Sequence, residues 1–151
     1  MKVAVVKGNS KVEIENFTLS NLNPNELLIK MQSCGICGSD VEKVFGQYGQ
    51  PSMRLGHEPA GEIINIGSDI SDFKIGDRVF THHHVACYSK DCHECSHGNE
   101  TMCKKYYQSN LNPCGLADNY IVPEWNVING GVLKLPDNVS YEEAALIEPL
   151  A

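Results

Sequence analysis

The chain has 151 residues, 42% of them hydrophobic, which suits one domain with a real core and excludes a disordered composition. Twelve basic residues against nineteen acidic ones give a net charge of −7, which argues against nucleic acid as a partner. No run of eighteen apolar residues exists and the N-terminal apolar run is too short for a signal peptide, so no membrane span is expected and a cytosolic location is the default.

Residues 1–7 read as a strand, and residues 12–19 as another, with Val12 and Ile14 on one face and Glu13 and Glu15 on the other. Asn23-Pro24-Asn25 is a turn signal. Residues 26–33 form the next strand, leading into Cys34-Gly35-Ile36-Cys37-Gly38-Ser39-Asp40. A short helix is expected over 39–45, with Ser39 or Asp40 near its start. Gly56-His57-Glu58-Pro59-Ala60-Gly61 opens a strand over 58–67, a turn covers 68–76, and 77–81 is again a strand. Asp77 and Arg78 read as structural residues holding that turn. His82-His83-His84 follows. Side chains alternate along a strand, so at most His82 and His84 share a face, and a supporting role fits them better than ligation. Beyond the cysteine-rich stretch, residues 115–122, 126–128 and 132–135 read as short strands punctuated by Pro113, Pro123, Gly130, Gly131 and Pro136. Ser140-Tyr141-Glu142-Glu143 is a capping box that opens a helix expected to run to Pro149. Many short strands at regular spacing predict a mainly β fold, barrel or sandwich.

Seven cysteines in a cytosolic chain point to metal ligands or redox groups rather than a disulfide framework. Cys87, Cys92, Cys95 and Cys103 lie within seventeen residues whose other side chains are almost all polar. A polar lobe cannot fold by burying apolar surface, whereas four thiolates closing on one zinc would hold it. Such a site has no open position and is structural. Free thiols or a disulfide pair are the alternatives. His93 and His97 read as solvated loop residues, and Cys34 and Cys114 as small buried ones.

The second constellation has a different chemistry. His57 and Glu58 stand side by side between glycines, Cys37 lies twenty residues upstream, and Glu148 lies near the C-terminus. One thiolate, one imidazole and one or two carboxylates describe an open, catalytic zinc site. Cys34-x-x-Cys37 read as a redox pair is the alternative, but that motif belongs in a βαβ setting.

These residues together resemble the zinc-dependent medium-chain dehydrogenases, the alcohol, sorbitol and threonine dehydrogenase group. Gly56-His57-Glu58 followed by Gly61, Gly67 and Ile70 has the spacing of that family's zinc signature. Gly35-Ile36-Cys37-Gly38-Ser39-Asp40 is similar to its first ligand loop, and Phe73-Lys74-Ile75-Gly76-Asp77-Arg78-Val79 to its turn into the next strand. The four-cysteine lobe, residues 87–103, resembles its structural zinc lobe. Glu148-Pro149-Leu150-Ala151 resembles the carboxylate motif of the sorbitol and threonine branch. Two departures stand out. Four residues separate Cys87 from Cys92 where the family usually has two, so Cys87 is the ligand the resemblance carries least. No Gly-x-Gly-x-x-Gly follows a strand anywhere in the chain, so the family's Rossmann domain is missing.

The resemblance implies that residues 1–151 form a GroES-like, partly open β-barrel with short helices, the N-terminal catalytic domain of a longer enzyme. It implies two zinc sites: Cys37, His57 and Glu58 or Glu148 for the catalytic metal, and Cys87, Cys92, Cys95 and Cys103 for the structural one. It further implies that the catalytic zinc acts as a Lewis acid on an alcohol that gives hydride to NAD(P). Ser39 would start a proton relay and Asp40 would orient His57. A small-molecule alcohol or polyol is the implied partner, with homo-oligomers in the full-length enzyme and neither nucleic acid nor membrane. A stand-alone zinc-binding GroES-like module without catalysis is the alternative function. The zinc-free quinone reductase branch is excluded by the presence of both ligand sets.

Overall fold

A computed structural model describes residues 1–8, 10–46 and 55–150. The described chain is mainly β. Strands β1 (Lys2–Gly8) and β2 (Lys11–Asn16) pair as an antiparallel two-stranded ribbon. Strands β3 (Leu27–Gly35), β4 (Glu58–Ile66), β5 (Arg78–Thr81), β6 (Asn119–Val122) and β7 (Val132–Lys134) form an open antiparallel sheet in the order β6-β3-β4-β5-β7. Between and after them come five short helices: α1 (Gly38–Val44), α2 (His93–Ser96), α3 (Glu124–Ile128), α4 (Tyr141–Ala144) and α5 (Ile147–Leu150). A 3₁₀ turn, Glu100–Met102, completes the cysteine-rich lobe. No helix of the described residues is long and apolar enough to cross a membrane.

The sheet follows from alternation. In β3, Leu27 and Ile29 are fully buried while Lys30 between Ile29 and Met31 is exposed, as a pleated strand with one covered face requires. Ile63 of β4, Val79 of β5 and Tyr120 and Val122 of β6 close the same core with Leu111 and Val132. Tyr120 is completely buried, and its hydroxyl finds Thr81 Oγ1 at 2.9 Å. Leaving a buried hydroxyl unpartnered costs about 1–3 kcal/mol, so this pair links β5 to β6, strands that are not neighbours in the sheet.

The β3–β4 pairing positions everything that follows. Its register sets Gly35 opposite Glu58 and Cys34 opposite Pro59, with irregularities after Leu28 and after Met31. Gly61 lies opposite Met31, and a Cβ there would come within 2.3 Å of the Lys30 carbonyl oxygen, so only glycine lets the strands approach this closely. The ligand loop after β3 and the Gly-His-Glu segment before β4 therefore meet at one end of the sheet.

Three expectations need correction. Residues 126–128 belong to α3, not to a strand. Pro123 at the N-cap has extended backbone, and the Asn126 side-chain amide donates to the carbonyls of His82 (2.7 Å) and His83 (3.2 Å) while the Trp125 indole donates to Val85 (2.9 Å). Those tertiary bonds outweigh the weak strand preference of three residues. The strand expected over 115–122 begins only at Asn119. The C-terminal helix is two pieces: the Ser140–Glu143 capping box is present, but α4 ends at Ala144 and α5 restarts at Ile147. Pro149 does not stop α5. It sits in the first turn, where its missing N–H would have no helical partner.

Arg78 ties this C-terminal segment to the sheet. Its guanidinium donates to the carbonyls of Pro136 (3.4 Å), Asp137 (3.4 Å) and Val139, and lies over the Tyr141 ring at 4.7 Å. Asp77 accepts the Lys74 N–H at 3.0 Å and pairs with Lys134 at 2.9 Å. Replacing Arg78 with methionine orphans three carbonyls, so Arg78→Met should destabilise the zinc-loaded protein by about 2 kcal/mol in urea unfolding. A change below about 0.5 kcal/mol would show that the clamp is not structural.

Candidate metal centre

At the end of β3 the chain turns through Cys37 into α1. Asp40, in the first turn of α1, is 2% exposed and accepts the Cys37 N–H at 3.3 Å and the Gly56 N–H at 3.1 Å. One buried carboxylate thus pins both ligand-bearing loops. Gly56 has φ +75°, a left-handed turn that a side chain would strain, and a Cβ there would strike Leu116 and the Cys34 sulfur. The turn aims His57 at Asp40, with Nδ1 3.5 Å from Asp40 Oδ2 and Nε2 3.9 Å from Glu58 Oε1.

Cys37, His57 and Glu58 each offer a ligand atom, and these atoms lie within 4.8 Å of one another. Glu58 is buried, and a Cβ on Gly35 would come to 1.8 Å from its Oε2, so the glycine clears the space in which the carboxylate sits. A thiolate, an imidazole whose other nitrogen is held by a carboxylate, and one carboxylate form a donor set that fits zinc with a fourth position open.

Electrostatics fits the same picture. Hydrogen bonds from the Ser39 backbone and hydroxyl pull the Cys37 thiol below its ordinary value, against some opposition from burial and with help from His57. Burial pushes the Asp40 carboxyl up, but His57, the Gly56 N–H and Lys43 outweigh it and hold it at about 2. The Asp40 hydrogen bond in turn raises metal-free His57 to about 9, against burial. Cys34, by contrast, is pushed up to about 12 by burial and is an inert thiol.

Glu148 stands outside the trio. Its Oε1 is 3.9 Å from His83 Nδ1, and burial raises its carboxyl while Glu58 and Asp40 raise it further against the pull of His57. The histidine run is not on a strand: β5 ends at Thr81, so alternation does not govern it. Of the three, His83 packs against the trio, its ring 4.8 Å from that of His57. Burial, with the neighbouring His84, His57 and Lys43, lowers it to about 3. His84 Nδ1 donates to the Ser109 carbonyl at 3.0 Å. Sequence reasoning missed His83. The signal available was three histidines leaving a buried strand just before a metal lobe.

The lobe brings its four cysteines together. Sulfur separations are 3.8 Å for Cys87–Cys95, 3.9 Å for Cys92–Cys103 and 3.6 Å for Cys87–Cys103. Four sulfurs at about 2.3 Å from a zinc in a tetrahedron lie about 3.8 Å apart. Cys87 fits that geometry as well as the others do, despite the long gap before Cys92. Tyr88, in that gap, has φ +46°. Backbone N–H groups of Cys87 and Lys105 hold the Cys103 thiol down at about 6, which favours the thiolate a metal needs. His93 lies in α2 rather than in a loop, and both it and His97 are exposed.

Residues 23–137 match the family model described as the alcohol dehydrogenase GroES-like domain. The chain is 35% identical to sorbitol dehydrogenase of Bacillus subtilis, over 100% of this chain and 43% of the relative. It is 31% identical to an L-threonine 3-dehydrogenase of Yersinia enterocolitica, over 97% of this chain and 43% of the relative. The crystal structure of galactitol-1-phosphate dehydrogenase from Escherichia coli superposes with a TM-score of 0.79 at 28% identity, over 99% of this chain and 42% of that one. The chain thus spans about two fifths of the length of these relatives.

The raised His57 sets a pH dependence. In the metal-free chain the charged His57–Asp40 pair contributes stability that is complete below the unfolded value of about 6.5 and is lost as pH rises through about 9. A proton on His57 also competes with the metal, so zinc uptake by the trio should tighten as pH rises towards 9. Asp40→Asn should bring the His57 titration of metal-free protein, followed by NMR, back towards 6.5. An unmoved titration would show that Asp40 does not control this histidine.

Proposed function

The chain belongs to the alcohol dehydrogenase GroES-like domain family of the medium-chain dehydrogenases, and from that premise we propose that it is the catalytic part of a zinc-dependent oxidoreductase interconverting an alcohol or polyol with its ketone or aldehyde. The observation that carries this reading is the grouping of Cys37, His57 and Glu58 around one point, beside a small polar cavity. Zinc bound there would supply a Lewis acid for the substrate oxygen.

The chain's own residues do the rest. Cys37, His57 and Glu58 would hold the metal, and Asp40 orients His57 through Nδ1. A thiolate and one carboxylate balance a dication, whereas two carboxylates would leave the site anionic and a weaker acid. Glu58 would therefore fill the carboxylate position alone, with Glu148, near His83, as the carboxylate that could stand in its place. Ser39, whose hydroxyl is hydrogen-bonded to the Cys37 sulfur, takes the proton leaving the substrate hydroxyl and passes it towards solvent. NAD(P), when bound in the complete enzyme, would supply the hydride acceptor. Cys87, Cys92, Cys95 and Cys103 would hold a second, structural zinc. Exposed Leu146 and Leu150, next to Glu148, offer apolar surface to a cofactor-binding domain.

Elemental analysis tests this reading. Purified protein should carry two zincs per chain, falling to one in Cys37→Ser. One zinc, unchanged in that variant, would mean that only the cysteine lobe loads, and the reading as a zinc-binding module without catalysis would replace this one.

A further inference from the structure

His93 and His97 take no part in either ligand group, yet the fold brings their imidazoles together. His93 opens α2 and His97 caps its C-terminal end, four residues on, so both side chains leave the same face of the turn. Their ring centroids are 4.5 Å apart, with the planes inclined at 42°. The segment His93-Glu94-Cys95-Ser96-His97 has the H-E-x-x-H spacing, by which two imidazoles on one helical face reach a single metal.

Hydrogen bonding prepares His97 for that role. Its Nδ1 lies 2.8 Å from the His93 carbonyl oxygen and 3.2 Å from Ser96 Oγ. Ser96 Oγ donates to the same carbonyl at 3.0 Å. A carbonyl oxygen has no proton to give, so Nδ1 carries the N–H and donates, and Nε2 of the neutral ring keeps its lone pair. One ring nitrogen tied to a backbone carbonyl, with the other left as an acceptor, is the usual setting of a metal-ligating histidine. The His93 ring makes no hydrogen bond among the described residues, so either of its nitrogens can serve.

We propose that His93 and His97 form a further metal site, a surface chelate for a divalent cation that favours imidazole nitrogen: Zn²⁺, Ni²⁺ or Cu²⁺. The four lobe sulfurs already stand together at tetrahedral separations, so the pair adds an ion to the lobe and replaces none of its ligands. Among the described residues no cysteine or carboxylate completes a group of three with the two imidazoles. Water fills the remaining positions and the ion exchanges with solvent, so protein freed of loosely held metal gives it up. Without a third protein ligand the pair binds a cation and lacks the frame of a hydrolytic zinc centre. This site does not depend on the dehydrogenase activity.

Calorimetric titration of the untagged, complete, zinc-loaded protein with Ni²⁺, followed by elemental analysis, tests it. A saturable site should appear while the zinc content stays constant. His93→Gln and His97→Gln should each weaken that site about tenfold or more, because a single imidazole loses the advantage of chelation. In NMR spectra the His93 and His97 ring signals should broaden before those of His82, His83 and His84. Absence of a saturable site, nickel binding that neither substitution weakens, or nickel taken up as zinc is released overturns the proposal. A variant that sheds zinc would assign its histidine to the cysteine lobe and overturn it as well.

Discussion

Antiparallel pairing of β3 with β4, in the register that faces Gly35 with Glu58, is the constraint on which the rest of this structure depends. Pairing fixes where each strand ends, so the Cys37 loop and the Gly56-His57 turn emerge side by side. A slip of one residue would send Leu27, Ile29 and Ile63 to the wrong face and part the ligands at the same time. The core and the grouping of Cys37, His57 and Glu58 are therefore specified by the same hydrogen-bond ladder. Glycine makes the pairing possible at two points: Gly61 lets the backbones approach, and Gly35 leaves room for the Glu58 carboxylate.

Asp40 transmits that constraint to the chemistry. A carboxylate this buried is tolerated because it is paired and hydrogen-bonded. Its partners are the N–H groups of the two loops and the imidazole between them. The same group thus holds the loops together, orients His57 and sets the proton affinity against which a metal must compete. The cysteine lobe answers a different need. It has few apolar residues to bury, and its sulfurs stand at the separations of a tetrahedral metal site. It is joined to the main sheet through the histidine run: Trp125 and Asn126 of α3 bond that segment's carbonyls, and His84 packs edge-on against Tyr107 at 4.7 Å.

Where sequence and structure parted, the cause was tertiary. Strand alternation was the wrong rule for His82, His83 and His84, because β5 had already ended, and it hid the contact of His83 with His57. Residues 126–128 are too few to show a helical period, and only the carbonyls they meet across the fold make them helical. The capping box at Ser140 was legible because it is a local reciprocal hydrogen bond, whereas the break before α5 has no local signal.

The sequence by itself determined the mainly β character, the two groups of candidate metal ligands and the likeness to the alcohol dehydrogenase family. Strand alternation, cysteine spacing and the Gly-His-Glu signature are all local patterns, readable without folding the chain. Only the tertiary structure decided which carboxylate stands with Cys37 and His57, that Cys87 completes the lobe despite its spacing, and which side chains wall the neighbouring cavity. Each of those depends on distances between segments far apart in the chain, and strand register and buried hydrogen bonds set such distances, not local composition.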